Sequence, residues 1–281
     1  MARQQWEQLP AAVRDAITAR CGPIEHVHDA SAGSIGDFAA TLGVHDVGRL
    51  FCKGAQLDTD RVGFLRNEIR LNQHLPGDLA PRLRWHAETA GWLVAVFDHA
   101  PGVCADLRPG SPDLPVVAAT LTRMAAALTP CPPVNIQPAT ARWGRLLDPS
   151  LVDGDTLLHT DMTHNNFLIT DGRAQVVDWS MPCRGAVWLD TARMLVRLIR
   201  AGHSPTQAES WAAQLPTWAH ANPDAVDAFA AALAKLSRRL RDNSTDAPHL
   251  AEMATASDAW LQHRLLQRYR PRSVPSPARM Q

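Results

Sequence analysis

The polar residues between positions 159 and 178 are the ones whose types and spacing are best suited to chemistry. They include two carboxylates and one amide, Asp161, Asn166 and Asp178, on either side of two short apolar runs. Oxygen ligands without sulfur suit a hard cation such as Mg²⁺, which keeps several water molecules and bridges phosphate groups. The alternative is that these side chains only form local turns, as Asn and Asp often do beside strands.

A β-hairpin is predicted over 167–177, because the runs FLIT and RAQVV flank an Asp-Gly dipeptide, a strong signal for a two-residue turn. In this register Asn166 lies at the open end of the hairpin, diagonal to Asp178 and within reach of its side chain. Asp161 comes only five residues before Asn166. The spacing therefore predicts that the three side chains converge on one small volume.

An ion pair is predicted between Lys53 and Glu68. The chain has only one other lysine, Lys235, and Lys53 lies inside the apolar run LFCKGA of a predicted strand. In the helix predicted over 59–75, Glu68 falls within the apolar stripe rather than on the solvent face. An unpaired carboxylate there would be costly or would become protonated, so a cation from the neighbouring sheet is the expected partner. The alternative is that Glu68 swings to the edge of the stripe and Lys53 points outward.

Composition and charge limit the class of protein. The chain has 281 residues, 46% of them hydrophobic, which is enough for one large domain or two modest ones. Basic and acidic residues both number 28, so nothing favours a nucleic-acid or membrane partner, and a polycationic substrate gains no support. The five dispersed cysteines predict neither disulfides nor a zinc site, and hence a reducing cytoplasm. No apolar run resembles a targeting or membrane-spanning segment.

The elements that must position these residues divide the chain near residue 100. Residues 1–100 are predicted to form a small lobe of antiparallel strands with one important helix, and residues 101–270 a larger, mainly helical lobe. Residues 271–281, rich in Pro, Ser and Arg, are predicted to be a disordered tail. The fold class is therefore predicted to be α+β and bilobal. The strands of the small lobe are predicted over 24–30, 38–44, 49–55, 82–87 and 92–100.

The segment HTDMTHNNFLI…VVDWS resembles the catalytic segment of the aminoglycoside phosphotransferase family, a group of small-molecule kinases related to the protein kinases. The family pattern is H-G-D, four residues, N, and then a hairpin that ends in D-W. The positions that match are His159, Asp161, Asn166, Asp178 and Trp179. Lys53 and Glu68 look like the kinase lysine and its helix glutamate. The resemblance implies a protein-kinase-like fold, an ATP donor (or GTP), and a small-molecule hydroxyl as acceptor, with an antibiotic as the first candidate.

The same resemblance implies roles for individual residues. Asp161 would orient the acceptor hydroxyl and take its proton, and Asn166 and Asp178 would hold Mg²⁺. Lys53, fixed by Glu68, would steady the α- and β-phosphates, because phosphoryl transfer depends on alignment and charge neutralisation. The nucleotide would also contact the small-residue loop SAGSIG and the segment FDHAPG, which resembles the adenine-binding hinge. The residues predicted for those two contacts are Ser34, Phe97 and His99.

One position departs from the family pattern, and two other functions stay open. Thr160 replaces the usual glycine between His159 and Asp161. A metal-dependent hydrolase would use His159, Asp161, His164 and Asp178, whereas an inactive regulator of the same fold would only bind nucleotide. In the kinase interpretation His159 instead hydrogen-bonds the backbone and braces the loop.

Two further expectations concern the rest of the second lobe. Asp190 is expected to cap the helix DTARMLVRLIRAG and to brace the catalytic loop. Helices after residue 205 are expected to wall the acceptor pocket. The tryptophans there, Trp211, Trp218 and Trp260, serve either this wall or core packing. The sequence does not indicate an oligomeric state.

Overall fold

The small lobe is an antiparallel sheet flanked by two helices. The computed structural model describes residues 3–30, 36–244 and 247–268. A short 3₁₀ turn, Trp6–Gln8, precedes the first helix. The elements of this lobe, in chain order, are α1 (Ala11–Cys21), β1 (Ile24–Asp29), β2 (Phe38–Val44), β3 (Gly48–Gln56), α2 (Arg61–Asn72), β4 (Leu83–Thr89) and β5 (Trp92–Asp98). All five strands predicted from the sequence are present.

The sheet is buried on both faces in its centre, and this explains its sequence pattern. The strand order is β1-β2-β3-β5-β4, with every neighbouring pair antiparallel. Along β5, Val94 and Val96 pack on the side of α1, whereas Leu93 and Ala95 pack on the side of α2. Successive side chains of a strand point to opposite faces, so a strand covered on both sides reads as the continuous apolar run WLVAVF.

The larger lobe is mainly helical and holds most of the aromatic core. Its elements are β6 (Val103–Cys104), α3 (Asp113–Ala127), α4 (Ala139–Trp143), β7 (Thr156–Leu158), β8 (Phe167–Thr170), β9 (Arg173–Val176), β10 (Cys183–Gly185), α5 (Leu189–Arg200), α6 (Pro205–Ala212), α7 (Pro216–Ala219), α8 (Pro223–Asp242) and α9 (Pro248–Arg268). Phe229 on α8 packs edge-on between Trp143 and Trp188, with ring centroids 5.3 and 5.5 Å away. The small strands form two sheets, β6-β8-β9 and β7-β10.

The predicted hairpin forms in the predicted register. Phe167 pairs with Val176 and Thr170 with Arg173. The turn residues 171 and 172 have φ angles of +49° and +71°, the two positive values that a type I′ turn requires. The far strand also attaches to the loop after α2, because the Val176 amide donates to the Leu79 carbonyl at 2.6 Å. The hairpin is therefore anchored at the junction of the two lobes.

Helix α2 is shorter than the predicted span of 59–75, because it begins at Arg61 and ends at Asn72. Asp60, which directly precedes the helix, makes no side-chain cap. The buried carboxylate of Asp37 instead binds groups at and just before this end of the helix. It accepts from the Gln56 amide at 2.9 Å and the Thr59 hydroxyl at 3.2 Å, and it pairs with Arg61 at 2.9 Å.

The two lobes share the end of α2 and the segment that follows it. Leu71, Leu75 and Leu79 belong to the core of the larger lobe although they precede β4 in the chain. A boundary near residue 100 therefore stays a prediction, and the tail 271–281 lies outside the described residues. In the part of the chain that the structure describes, no helix is both long and apolar enough to cross a membrane.

Candidate active site

A loop between β7 and β8 carries Asp161 and Asn166. It ends in a short 3₁₀ turn, His164–Asn166, which leads directly into the hairpin. The Asn166 amide nitrogen donates to the Asp161 carbonyl at 2.8 Å and to its carboxylate at 3.2 Å. These bonds fix the amide orientation and hold the Asp161 side chain against the loop. Two of the three predicted side chains are therefore in direct contact.

His159 and Asp190 brace this loop from below. The Asp190 carboxylate is buried and accepts from the amides of His159 and Thr160, both at 2.9 Å. The His159 ring accepts from the Asp161 amide at Nδ1, so its Nε2 carries the proton and donates to the Val177 carbonyl at 2.9 Å. Both ring nitrogens are thus occupied by backbone groups, as expected for a bracing histidine. The expected helix cap is wrong, because Asp190 uses both oxygens on the loop and none on its own helix.

Thr160, which departs from the family pattern, adopts a left-handed backbone conformation with φ of +66°. This region is unfavourable for a β-branched residue and costs about 1–2 kcal/mol relative to glycine. The Thr160 hydroxyl offsets part of this cost. It donates to the Met181 carbonyl at 2.6 Å and accepts from Arg142 at 2.7 Å. The backbone conformation at this position therefore favours glycine, and Thr160 is accommodated there because its hydroxyl forms two hydrogen bonds.

Lys53, Glu68 and Asp178 form a largely buried charge cluster that joins the lobes. Lys53 lies in the middle of β3, between Ala39 and Ala95 on the neighbouring strands. Its ammonium donates to both Glu68 oxygens at 2.9 and 2.7 Å and to Asp178 at 3.1 Å. The predicted pairing of Lys53 with Glu68 is confirmed, and the contact with Asp178 crosses between the lobes.

The electrostatics of the cluster favour the charged forms of Lys53 and Asp178, whereas burial raises the pKa of Glu68. Burial works against the charge of Lys53, but the carboxylates of Asp178 and Glu68 outweigh it and raise the pKa of Lys53. Burial would likewise raise the pKa of Asp178, but the Lys53 ammonium lowers it below its ordinary value. The cluster therefore holds an ammonium and an ionised Asp178 side by side.

Two cavities meet at Asn165, Asn166 and Asp178, which line both of them. The inter-lobe cavity, of about 300 Å³, lies between the sheet and the hairpin and is also lined by Lys53. The helical cavity, of about 560 Å³, is bounded by Asp161 and by helices α5, α8 and α9. A group held at the shared wall therefore contacts molecules in both cavities.

The shared wall fits a hard divalent cation. Asn166 uses its amide nitrogen on Asp161, and its side-chain oxygen accepts no hydrogen bond from any residue that the structure describes. Asp178, ionised, lines both cavities beside it. An amide oxygen and a carboxylate with room for water and phosphate oxygens are a donor set typical of Mg²⁺. These two residues would hold the metal, whereas Asp161 faces the helical cavity.

The hydrolase alternative lacks its metal site. It would need His159 as a ligand, but both ring nitrogens of that residue bind backbone groups. Among the described residues, no group of three or more His, Cys, Asp and Glu side chains is placed to hold a metal. The structure therefore offers no support for a hydrolase of this kind.

Two of the three residues predicted to contact the nucleotide lie at the inter-lobe cavity. Phe97 and His99, at the end of β5 and just beyond it, line the inter-lobe cavity. Gly102 follows with φ of +114°, where any Cβ would collide with the Ile169 carbonyl of β8, so the connection passes close over the hairpin. Ser34 lies in 31–35, outside the described residues.

The arginines of α5 were missed by the sequence reasoning. Arg193, Arg197 and Arg200 follow helical spacing and line the helical cavity together. Arg197 pairs with the carboxylate of Asp161 at 3.3 Å. Burial, together with the charges of Arg200 and Arg197, lowers the pKa of His164 at the cavity edge. The i, i+4, i+7 pattern was visible in the sequence, but arginines in a helix are usually solvent-exposed.

The helices after residue 205 do wall the helical cavity, through α8 and α9. The tryptophans there do not line it. Trp260 is fully buried and Trp211 is 7% exposed, both within the core of the larger lobe. Trp218 packs against that core from its edge, with its ring centroid 6.4 Å from that of Trp260. Core packing is therefore the role that the structure shows.

A sequence model of the phosphotransferase enzyme family matches residues 68–229, more than half of the chain. The protein therefore belongs to the phosphotransferase enzyme family. It is an enzyme, a small-molecule kinase with an alcohol group as acceptor, as the resemblance of the catalytic segment implied. The comparison with curated proteins gives no match.

Solved structures of phosphotransferases share this fold. A thermostable mutant of aminoglycoside phosphotransferase APH(4)-Ia, in ternary complex with AMP-PNP and hygromycin B, is 18% identical with a TM-score of 0.61, covering 90% of this chain and 98% of that one. The amicoumacin kinase hAmiN, in complex with AMP-PNP, Ca²⁺ and Ami, is 12% identical with a TM-score of 0.56, covering 89% and 93%. The macrolide 2′-phosphotransferase MphH from Brachybacterium faecium is 18% identical with a TM-score of 0.51, covering 87% and 98%. The predicted bilobal α+β kinase-like fold is confirmed.

Proposed function

We propose that this enzyme transfers the γ-phosphoryl group of ATP to a hydroxyl of a small molecule, with Mg²⁺ as the metal. The observation that carries the proposal is the shared wall of the two cavities, Asn165, Asn166 and Asp178. A nucleotide in the inter-lobe cavity would present its terminal phosphate at this wall. An acceptor in the helical cavity would present its hydroxyl to Asp161 from the other side.

Each side chain of the site has a part in this transfer. Asp161 orients the acceptor hydroxyl and accepts its proton, because its carboxylate faces the helical cavity and is steadied by Asn166. Lys53, held on two sides by Glu68 and Asp178, binds the α- and β-phosphates. Asn166 and Asp178 would hold the metal, which would supply charge neutralisation on the phosphate oxygens.

The nucleotide itself is held at the edge of the small lobe. Phe97 and His99 line the cavity where the base would enter, and Ser34 belongs to the loop predicted to approach the phosphates. ATP is the proposed donor, and GTP is the alternative donor. The comparison structures contain AMP-PNP or, for APH(2″)-IIia, GDP.

The proposed acceptor class is based on the solved relatives, and the proposed cellular location is based on the cysteines. Solved relatives contain hygromycin B or kanamycin, so an antibiotic is the first acceptor class to test, and resistance or self-protection the corresponding role. All five cysteines are free thiols, as expected for a protein of the reducing cytoplasm. A nucleic-acid or membrane partner is not part of the proposal.

The test of the proposal is Asp161→Asn, with Asp171→Asn as matched control. Turnover with labelled ATP and a panel of hydroxyl-bearing antibiotics should fall by roughly 10²–10⁴-fold in the first variant, while nucleotide binding is kept. Asp171 lies exposed in the hairpin turn with φ of +49°, a conformation that Asn tolerates well, so its variant should match the wild type. Equal turnover in both variants would refute the role of Asp161.

The metal assignment has a test of its own. Asp178→Ala should remove the dependence of nucleotide affinity on Mg²⁺, which titration calorimetry with and without the metal measures directly. A variant that keeps this dependence would place the metal elsewhere.

A further inference from the structure

The wall that α5, α8 and α9 contribute to the helical cavity is basic and apolar. Among its described lining residues the only carboxylates are Asp161 and Asp178, and both lie at the catalytic end. The remaining wall offers arginines from α5 and apolar side chains from α8 and α9. Those apolar residues are Leu233, Leu236, Leu240, Leu250 and Met253.

Arg193 stands apart from the other cations of this wall. Its Nε atom is inaccessible to solvent and finds no hydrogen-bond acceptor. Within the described residues, no hydrogen bond or ion pair of its guanidinium is formed at all. Burial, together with the charge of Arg197, lowers the pKa of Arg193 to about 10, and the charge of Asp161 only partly counters this. A guanidinium whose Nε is buried without an acceptor is costly, because buried charged groups are normally paired.

The neighbouring arginines all have partners. Arg197 pairs with Asp161 at 3.3 Å and donates to the Met253 sulfur at 3.1 Å. Arg200 pairs with Glu252 at 2.8 Å. Arg193 is therefore the cation of α5 whose donors are left for a molecule in the cavity.

The acidic residues that could have received a polycation are engaged elsewhere. Glu209 pairs with Arg264 at 3.4 Å, and Asp227 pairs with the same arginine at 2.6 Å. Asp224 pairs with Arg268 at 2.8 Å. None of these acids lines the helical cavity. A substrate with several ammonium groups would thus meet arginines and leucines beyond the catalytic end.

We propose that Arg193 binds an anionic group of the acceptor. The acceptor is then a hydroxyl-bearing molecule with an apolar body and one carboxylate or phosphate, and not a polycation. This inference rests on the proposed function, because it assigns the substrate class of the same site. Arg193 suits the task because its planar fork matches the oxygens of carboxylates and phosphates.

The experiment uses four probes that share one frame and one primary alcohol. They are 4-(hydroxymethyl)benzoate, 4-(hydroxymethyl)phenylphosphonate, 4-(hydroxymethyl)benzamide and 4-(hydroxymethyl)benzylamine. Their binding to the full-length protein with Mg²⁺ and AMP-PNP is measured by calorimetry, and ATP consumption is measured in parallel. The benzoate or the phosphonate should bind about tenfold to a hundredfold more tightly than the amide, as expected for a hydrogen-bonded charged group, and the amine should bind most weakly. The stronger of the two anions identifies a carboxylate or a phosphate acceptor.

Three variants connect this selectivity to Arg193. Arg193→Gln should bring the anion and the amide to within about twofold of each other, and Arg193→Lys should restore part of the preference. Arg239→Gln removes the same charge from an exposed position on α8 and should leave the order unchanged. Because Arg193→Gln removes a charge whose Nε is buried without an acceptor, its thermal midpoint should equal or exceed that of the wild type. A merely structural arginine would instead lower that midpoint and leave the selectivity intact.

The possible failures are distinguishable. If the amine or kanamycin binds more tightly than both anions, or if the anion preference survives in Arg193→Gln, the inference is overturned while the proposed function stands. No measurable binding of either anion at millimolar concentration overturns it as well. If the wild type shows no Mg²⁺-dependent nucleotide binding, the proposed function itself fails.

Discussion

Replacing Asp190 by Asn tests whether one buried carboxylate holds the catalytic loop in place. Asp190 is 6% exposed and accepts from the amides of His159 and Thr160 with separate oxygens. The Asn side chain has the same shape but only one acceptor oxygen. One of the two backbone amides therefore loses its acceptor and faces the NH₂ group of the Asn side chain instead. An unsatisfied buried donor costs about 1–3 kcal/mol. Burial raises the pKa of Asp190, so the neutral amide also relieves a desolvation penalty, and the loss should lie in the lower half of this range.

The assay is urea unfolding followed by tryptophan fluorescence, combined with steady-state kinetics. The free energy of unfolding of Asp190→Asn should fall by about 1–2 kcal/mol. Its kcat should fall by roughly tenfold to a hundredfold, because a displaced loop misaligns Asp161, whereas nucleotide affinity should be kept.

The matched control is Asp224→Asn. Asp224 occupies the second position of α8, as Asp190 does in α5, so both substitutions change the helix dipole interaction equally. Asp224 is exposed and pairs only with Arg268 at the surface, where such pairs contribute about 0–1 kcal/mol. If the two variants lose the same stability and Asp190→Asn keeps the wild-type kcat, the bracing role of Asp190 is wrong.

Three further predictions concern the other parts of the site. Glu68→Gln should lower kcat/KM for ATP by roughly tenfold to a hundredfold, because Lys53 loses its bidentate partner; an unchanged value would show that the pair does not position the phosphates. The exposed thiol of Cys104 lines the inter-lobe cavity, so ADP with Mg²⁺ should protect it from alkylation. Burial raises the pKa of the Cys183 thiol to about 11, so Cys183 should stay unreactive with or without the nucleotide. Peptide mass spectrometry measures both, and alkylation of Cys104 in the presence of ADP and Mg²⁺ would contradict the prediction. Thr160→Ala and Thr160→Gly both remove the hydroxyl, so the glycine variant should be more stable by about 1–2 kcal/mol in urea unfolding, and the reverse order would contradict the strain at this position.

The parts of the fold that depend on local rules could be predicted from the sequence. The Asp-Gly dipeptide determined the turn type, and the turn determined the register from Phe167 to Val176. The position of Glu68 in an apolar stripe was enough to require a cation, and Lys53 was the lysine available nearby. The first inference used only neighbours in one hairpin, and the second used one helix face and the only lysine in the first half of the sequence.

The parts that depend on how distant segments meet could not be predicted. The contact between Lys53 and Asp178 joins two lobes, and no local pattern gives their relative placement. From the sequence, Arg193 is indistinguishable from a solvent-exposed arginine of a surface helix. It lines a cavity only because α8 and α9 form the other walls of that cavity. The role of Asp37 at the start of α2 was missed for the same reason, because Asp37 lies just before β2 and is 24 residues from Arg61 in the sequence.

The bond from Lys53 to Asp178 has a thermodynamic consequence for ligand binding. The Lys53 ammonium already neutralises the carboxylate that would hold the proposed divalent ion, so the ion alone would compete with a tethered cation. Phosphate oxygens that attract the ammonium would end this competition and leave the carboxylate available. Metal and nucleotide should therefore bind with positive cooperativity, each raising the affinity for the other by the same factor.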